Sequence, residues 1–226
     1  MTTPAVLVVG ASRGIGLELV RQYRAEGARV IATHRAPAYA APLRALGAEP
    51  RLLDVLDPAA VVRLGRLLAI DRLSLAIVNA GVFGPRTTGL AAPEEKDFDE
   101  VMHTNVLAAM RLIPVLAPPL AATGGRLVVL SSRMGSVSAM QSASGWLYRA
   151  SKAALNAVLK AASVELGAQG IVCLALHPGW VRTAMGGAGA EIEAAESVAG
   201  MRRVIAAADA SRNGGFFNYD GEPLAW

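Results

Sequence analysis

Tyr148-Arg149-Ala150-Ser151-Lys152 sets a phenol and an ammonium four residues apart. On a helix such a pair shares one face. A tyrosine with its ordinary pKa of about 10 exchanges protons poorly near neutrality. A cation close by favours the phenolate and lowers that pKa. The pair therefore suits proton transfer to or from an oxygen atom, although the spacing alone also describes a surface Tyr/Lys pair. Upstream, Ser131-Ser132 closes the apolar run Arg126–Leu130. If that run is a strand, Ser132 is placed to hydrogen-bond a carbonyl and Ser131 points away; the plain alternative is a turn serine.

A second group of residues suits a phosphate-bearing ligand. Gly10-Ala11-Ser12-Arg13-Gly14-Ile15-Gly16 follows the first apolar run and opens a helical segment. Glycines in that setting allow a tight turn and let the backbone approach a pyrophosphate at the helix N-terminus. The spacing is GxxxGxG, not the commoner GxGxxG, and its strand–turn–helix context gives it weight. The next apolar run, Arg29–Ala32, ends in Thr33-His34-Arg35. A fold that binds NAD usually carries an Asp or Glu here for the ribose 2′-hydroxyl. None is present. Arg35, with Arg13 in the glycine loop, can instead hold a 2′-phosphate. These residues point to NADP(H) in preference to NAD(H), which stays possible.

Further polar residues fall at the ends of apolar runs. Asn79-Ala80-Gly81 follows Ala76–Val78, and His177-Pro178-Gly179-Trp180-Val181-Arg182-Thr183 follows Val172–Leu176. Asn105 lies in a largely apolar helical segment, where a buried amide needs partners. His34, His103 and His177 lack metal-ligand spacing, so no metal is expected, and His177 reads as a packed or capping histidine. The single cysteine, Cys173, sits in an apolar run and reads as a small buried hydrophobe.

The elements that must position these residues follow from the patterning. Short apolar runs at Val6–Val9, Arg29–Ala32, Arg51–Leu53, Ala76–Val78, Arg126–Leu130 and Val172–Leu176, with a last one near Gly215–Tyr219, read as strands. Gly14–Glu26, Pro58–Leu68, Phe98–Leu120 and Trp146–Leu166 read as helices, and Pro114, Pro118 and Pro119 should bend or end the third. Alternation of this kind predicts an α/β fold: one doubly wound Rossmann domain over residues 1–226, with a mostly parallel sheet of about seven strands. In such a sheet ligands bind beyond the carboxyl ends of the strands, where all of the residues above converge.

Composition bounds the rest. The 226 residues are 53 % hydrophobic and 18 % charged, enough for a sizeable core. The net charge of +4, from 22 basic and 18 acidic residues, is scattered, which argues against a nucleic-acid partner. No leader and no run of about 18 apolar residues is evident, so a cytoplasmic protein without a membrane span is expected. Met185–Ala199, rich in small residues, is expected to form a mobile lid. The helix carrying Ala153, Ala157 and Ala161 could pack on its own sheet or on another copy, giving a homodimer or homotetramer.

These motifs, in this order, resemble the short-chain dehydrogenase/reductase family over essentially the whole chain. Within it they look like the carbonyl-reductase branch that includes sniffer and C-factor proteins. The resemblance implies hydride transfer between NADP(H) and a small carbonyl or alcohol substrate. It implies Tyr148 as general acid or base, and Lys152 as the group that holds the nicotinamide ribose and lowers the Tyr148 pKa. Ser132 would orient the carbonyl, and Asn105 would hold a water of a proton relay. Gly10, Ser12, Arg13, Gly14, Ile15 and Gly16 would cradle the pyrophosphate, with Arg35 on the 2′-phosphate. Asp54 and Val55 would bind adenine, Asn79, Ala80 and Gly81 the adenosine ribose, and Pro178, Gly179, Val181 and Thr183 the nicotinamide side. Val9 and Val78 depart from the family's usual Thr and Asn. A longer Ser132–Tyr148 spacing, with Met140–Gly145 as the insertion, leaves Ser136 or Ser138 as alternatives to Ser132. A redox-sensing or signalling protein that binds NADP(H) with little catalysis is the competing function. A sugar-nucleotide epimerase shares the Tyr/Lys pair but normally has a larger substrate region than the chain offers after Thr183.

Overall fold

The computed structural model describes residues 4–226. Seven strands form one parallel sheet: β1 (Ala5–Val9), β2 (Arg29–His34), β3 (Glu49–Leu52), β4 (Leu73–Val78), β5 (Arg126–Leu130), β6 (Val172–His177) and β7 (Gly215–Asn218). Their spatial order is β3-β2-β1-β4-β5-β6-β7, so the winding reverses between β1 and β4. That reversal opens a crevice at the carboxyl ends of the two central strands.

Both sheet faces are covered, which explains why the central strands are apolar without alternation. Ala5, Leu7 and Val9 of β1 face one layer, made by α3 (Pro58–Leu68), α5 (Ala108–Ala121) and α6 (Trp146–Gly167). Val6 and Val8 face the other, made by α1 (Gly14–Ala25), the short α2 (Ala40–Ala45) and α7 (Ala194–Ala206). Cys173 is buried in the first layer, as its setting predicts, and burial pushes its thiol up to about 12. At the opposite rim, Arg29 of β2 bridges Glu49 and Asp71, tying three strand ends together.

The strands fall where the apolar runs predict them, within a few residues. Three features differ. The prolines do not end the long helix: α4 (Glu95–Met102), a π turn (His103–Leu107) and α5 run continuously to Ala121. Pro114 and Pro118 remove hydrogen bonds to the carbonyls of Met110 and Pro114, which belong to exposed residues. On the inner flank Leu112, Leu116 and Leu120 are fully buried against the sheet and hold the helix together. This helix is also long and apolar enough by composition to cross a membrane, contrary to expectation, yet half of its most apolar stretch is buried in the fold. Finally, the second half of the supposed lid is α7, whose Val198, Met201, Val204 and Ile205 are core residues hidden in the sequence among alanines and charges.

Candidate active site

The crevice is a cavity of about 560 Å³ bordered by residues from the carboxyl ends of β1 to β6. At its centre the loop after β1 turns into α1. Gly10 has φ +84°, and a Cβ there would lie 2.9 Å from the Ala80 amide nitrogen. Gly16 lies against the Gly10 carbonyl so closely that a Cβ would sit 2.1 Å from its oxygen. The loop is braced from both sides, by the Gly10 amide donating to Thr33 Oγ1 at 3.0 Å and by Asn79 Nδ2 donating to the Gly10 carbonyl at 2.6 Å. Arg13, at the N-cap of α1, makes no side-chain cap. The helix N-terminus thus opens onto the cavity with backbone N–H groups available to an anion.

Arg13 and Arg35 are both exposed and border the cavity, and neither side chain has an ion-pair or hydrogen-bond partner among the described residues. Asp54 is the one carboxylate on the cavity wall; its Oδ1 accepts from the Leu56 amide at 3.0 Å, and Val55 lies beside it. Tyr39, in a 3₁₀ turn after β2, completes this end. Nothing in the sequence pattern marked Tyr39, because the turn it occupies carries no chemistry of its own.

At the other end stand Tyr148 and Lys152, one turn apart on α6 and both buried. The Ser132 hydroxyl pulls the Tyr148 pKa down from its place beside the phenol, although Ser132 itself does not border the cavity. Ser132 also accepts from the Met134 amide at 3.1 Å, which fixes its rotamer at the end of β5. Ser136 and Ser138 turn instead to the backbone carbonyl of Trp226, so Ser132 is the serine that meets the phenol. Ser131 does not simply point away: it borders the cavity and donates to Asn156 Oδ1.

The electrostatics differ from expectation at one point. Lys152 Nζ donates to the Leu130 carbonyl at 2.8 Å and lies 5.6 Å from the Tyr148 ring centre. Burial pulls its pKa down to about 8. Burial also pushes Tyr148 up to about 12, against the opposing pull of the Ser132 hydroxyl. Within the chain's own atoms, desolvation of the phenol outweighs any help from the lysine. His177 is partly buried and neutral, its pKa lowered to about 4 mainly by burial and also by Arg133, which agrees with a packed histidine.

Several expected residues act from behind the wall. Asn105, in the π turn, accepts from the Val82 amide and donates to the Val82 carbonyl, both at 2.8 Å, and donates to Ser151 Oγ at 2.9 Å. Its amide is a brace between the β4 loop and α6. Gly16 lies under the glycine loop, outside the cavity lining. Val181 is buried in a bridge with Ile192, and Gly179 packs on Ile192 and Tyr219; neither borders the cavity. They aim Pro178 and Thr183, which do, as do Ser12, Gly14, Ile15, Ala80 and Gly81. Among the described residues no group of His, Cys, Asp and Glu could hold a metal.

A residue missed in the sequence is Phe83. Its ring stacks on Tyr148 with centres 4.5 Å apart and planes at 22°. The contact joins the β4 loop to α6 across 65 residues, so no local spacing could announce it.

The chain is similar to known proteins over most or all of its length. The sequence profile described as short chain dehydrogenase matches residues 4–193. C-signal of Myxococcus xanthus is 37 % identical over 155 residues, spanning 68 % of this chain and 93 % of that protein. The NADPH-bound carbonyl reductase from chicken fatty liver superposes over the full length of both chains with a TM-score of 0.88 at 33 % identity. The carbonyl reductase Sniffer of D. melanogaster does so with a TM-score of 0.90 at 28 % identity. A doubly wound sheet, a glycine loop at its switch point and a Ser/Tyr/Lys set at the facing strand ends therefore coincide with full-length similarity, and the chain belongs to the short-chain dehydrogenase family.

Proposed function

We propose that the protein is an NADP(H)-dependent oxidoreductase that interconverts an aldehyde or ketone and its alcohol, with Tyr148 as the proton donor in reduction. The carrying observation is the placement of Tyr148, with Ser132 behind it, and of Lys152 at one end of a cavity whose other end presents Arg13 and Arg35. The cavity fits NADP(H): the glycine loop, packed so closely on Ala80 that Gly10 has no room for a Cβ, leaves the N-terminus of α1 open to a pyrophosphate, and the two unpaired arginines suit a 2′-phosphate. The NADPH bound by the chicken carbonyl reductase supports the same choice.

Bound nicotinamide would supply the hydride. The chain supplies the rest. Ser132 and Tyr148 hydrogen-bond the carbonyl oxygen, and the phenol, kept protonated by its burial, gives up its proton as negative charge develops there. Lys152, as a cation, steadies the phenolate that remains and offers its ammonium to the ribose hydroxyls. Asn79 and Asn105 keep the glycine loop and the β4 loop in place.

The test is NADPH oxidation with a panel of aldehydes and ketones. Tyr148→Phe is expected to abolish turnover while NADPH binding stays within about twofold. Undiminished turnover by that variant would sink the mechanism. The similarity to a protein named C-signal favours a second reading, a sensor that binds NADPH without chemistry. Tight NADPH binding with no turnover on any carbonyl would select it.

A further inference from the structure

The ring contact at Phe83 continues on both sides. The Arg86 guanidinium carbon lies 4.8 Å from the centre of the Phe83 ring, and Arg86 Nη2 donates to the Met185 carbonyl at 2.6 Å. Lys152 lies 5.6 Å from the centre of the Tyr148 ring. A chain of contacts thus runs from Met185, in the loop after β6, through Arg86, Phe83 and Tyr148 to Lys152. Gly84, at φ +75°, makes the turn that brings Arg86 back over Phe83. The loop carrying both is fastened elsewhere by Asn105 on Val82, by the Gly145 amide donating to the Thr87 carbonyl at 3.1 Å, and by Trp146 Nε1 on the Ala91 carbonyl. Gly145 has no side chain where a Cβ would lie 3.1 Å from Phe83 and 3.2 Å from Met134, so the ring can close down beside α6.

Building on the reductase reading, we infer that Phe83 and Arg86 are positioning residues that hold the Tyr148 phenol in its reactive orientation and couple it to the loop carrying Met185. Neither touches the reacting atoms. Phe83 fixes the plane of the phenol and shields it from water; Arg86 clamps Phe83 and reports the position of the β6 loop. Aromatic stacks and cation–π contacts of this kind are individually modest but set ring orientation well. Misplacement of a reacting group by about 1 Å can cost about a hundredfold in rate.

Three variants test this: Phe83→Leu, Arg86→Met and, as the conservative rescue, Phe83→Tyr. With benzaldehyde and NADPH, the first two are expected to lower kcat about tenfold or more, with KM for NADPH within about twofold of the parent. Phe83→Tyr should keep at least about half of kcat, because it keeps the plate. A second readout needs no turnover: absorbance titration near 295 nm, with the Tyr148→Phe variant as the baseline, isolates the Tyr148 phenol. Loss of the Phe83 shield admits water, so the Tyr148 midpoint should fall by about one unit in Phe83→Leu and stay put in Phe83→Tyr. Unchanged kcat and an unchanged Tyr148 midpoint in Phe83→Leu would overturn the proposal. So would equal loss in Phe83→Tyr, or weaker NADPH binding with intact kcat. If the parent reduces no carbonyl at all, the reductase reading fails on its own, and the titration still decides whether Phe83 governs the phenol.

Discussion

Lys152 shows what the site costs the fold. Its ammonium is buried, with the Leu130 carbonyl as its hydrogen-bond acceptor, and its folded pKa is pulled from 10.5 down to about 8. Between those two values the unfolded chain binds the proton more readily, so this residue's contribution to stability rises with pH across that window. Below about pH 8 the fold carries the whole penalty of desolvating a cation. Lys152→Met should therefore raise Tm near pH 7 while lowering turnover, and its advantage over the parent should shrink by about pH 10. Loss of the donor to Leu130 subtracts from both values alike. A Tm difference that does not change with pH would mean that burial of the charge is not the cause. For the parent, deprotonation of Lys152 above about pH 8 should also cut carbonyl reduction, visible as the alkaline limb of the rate profile. At this scale the sequence reveals residues whose partners are near in the chain or share a strand end. Tyr148, Lys152, Ser132 and the two arginines are of that kind. It conceals Phe83, and it misjudges which force governs the Tyr148 pKa, because burial is a property of the packed chain.

The elements carry the next level of constraint, and one of the tightest contacts is between α1 and the glycine loop. A Cβ on Gly16 would lie 2.1 Å from the Gly10 oxygen and 2.6 Å from Asn79 Nδ2, the donor that braces that oxygen. Gly16→Ala must push α1 away from the loop or break the Asn79 bond. A cost of about 1–3 kcal/mol is expected from overpacking, together with weaker NADPH binding, read by thermal melting and by fluorescence titration. Retention of parental Tm and affinity would show that α1 can shift freely. The central strands and the long helices were legible because each is a run of one periodicity, and Pro58–Leu68 even announces its start with Asp57, whose side chain caps Ala59 at 2.8 Å. The π turn at His103–Leu107 was not legible, since it is imposed by Asn105 reaching Val82 and Ser151. Neither was α7, whose first turn is anchored by Ser197 and by Gln22 of α1 holding the Ala195 carbonyl.

For the whole molecule, the distribution of charge decides how a cofactor finds the cavity. The chain carries a net charge of +4. On the cavity wall three cationic side chains, Arg13, Arg35 and Lys152, face a single carboxylate, Asp54. Arg13 and Arg35 are exposed, so their attraction reaches into solvent and is screened over about 8 Å at physiological salt. Lys152 is buried and is screened far less. An anion should thus be drawn first to the adenosine end, and the extra phosphate of NADPH should feel that field more than NADH does. Raising salt from about 0.05 M to about 0.5 M is expected to weaken NADPH binding several-fold and NADH binding distinctly less. In the double variant Arg13→Ala, Arg35→Ala the two cofactors should converge in both affinity and salt slope, with NADH little changed from the parent. Parallel slopes for both cofactors in the parent would show that the arginines do not read the 2′-phosphate. The preference would then have to come from the shape of the Arg35–Tyr39 wall, which the same double variant would leave largely in place.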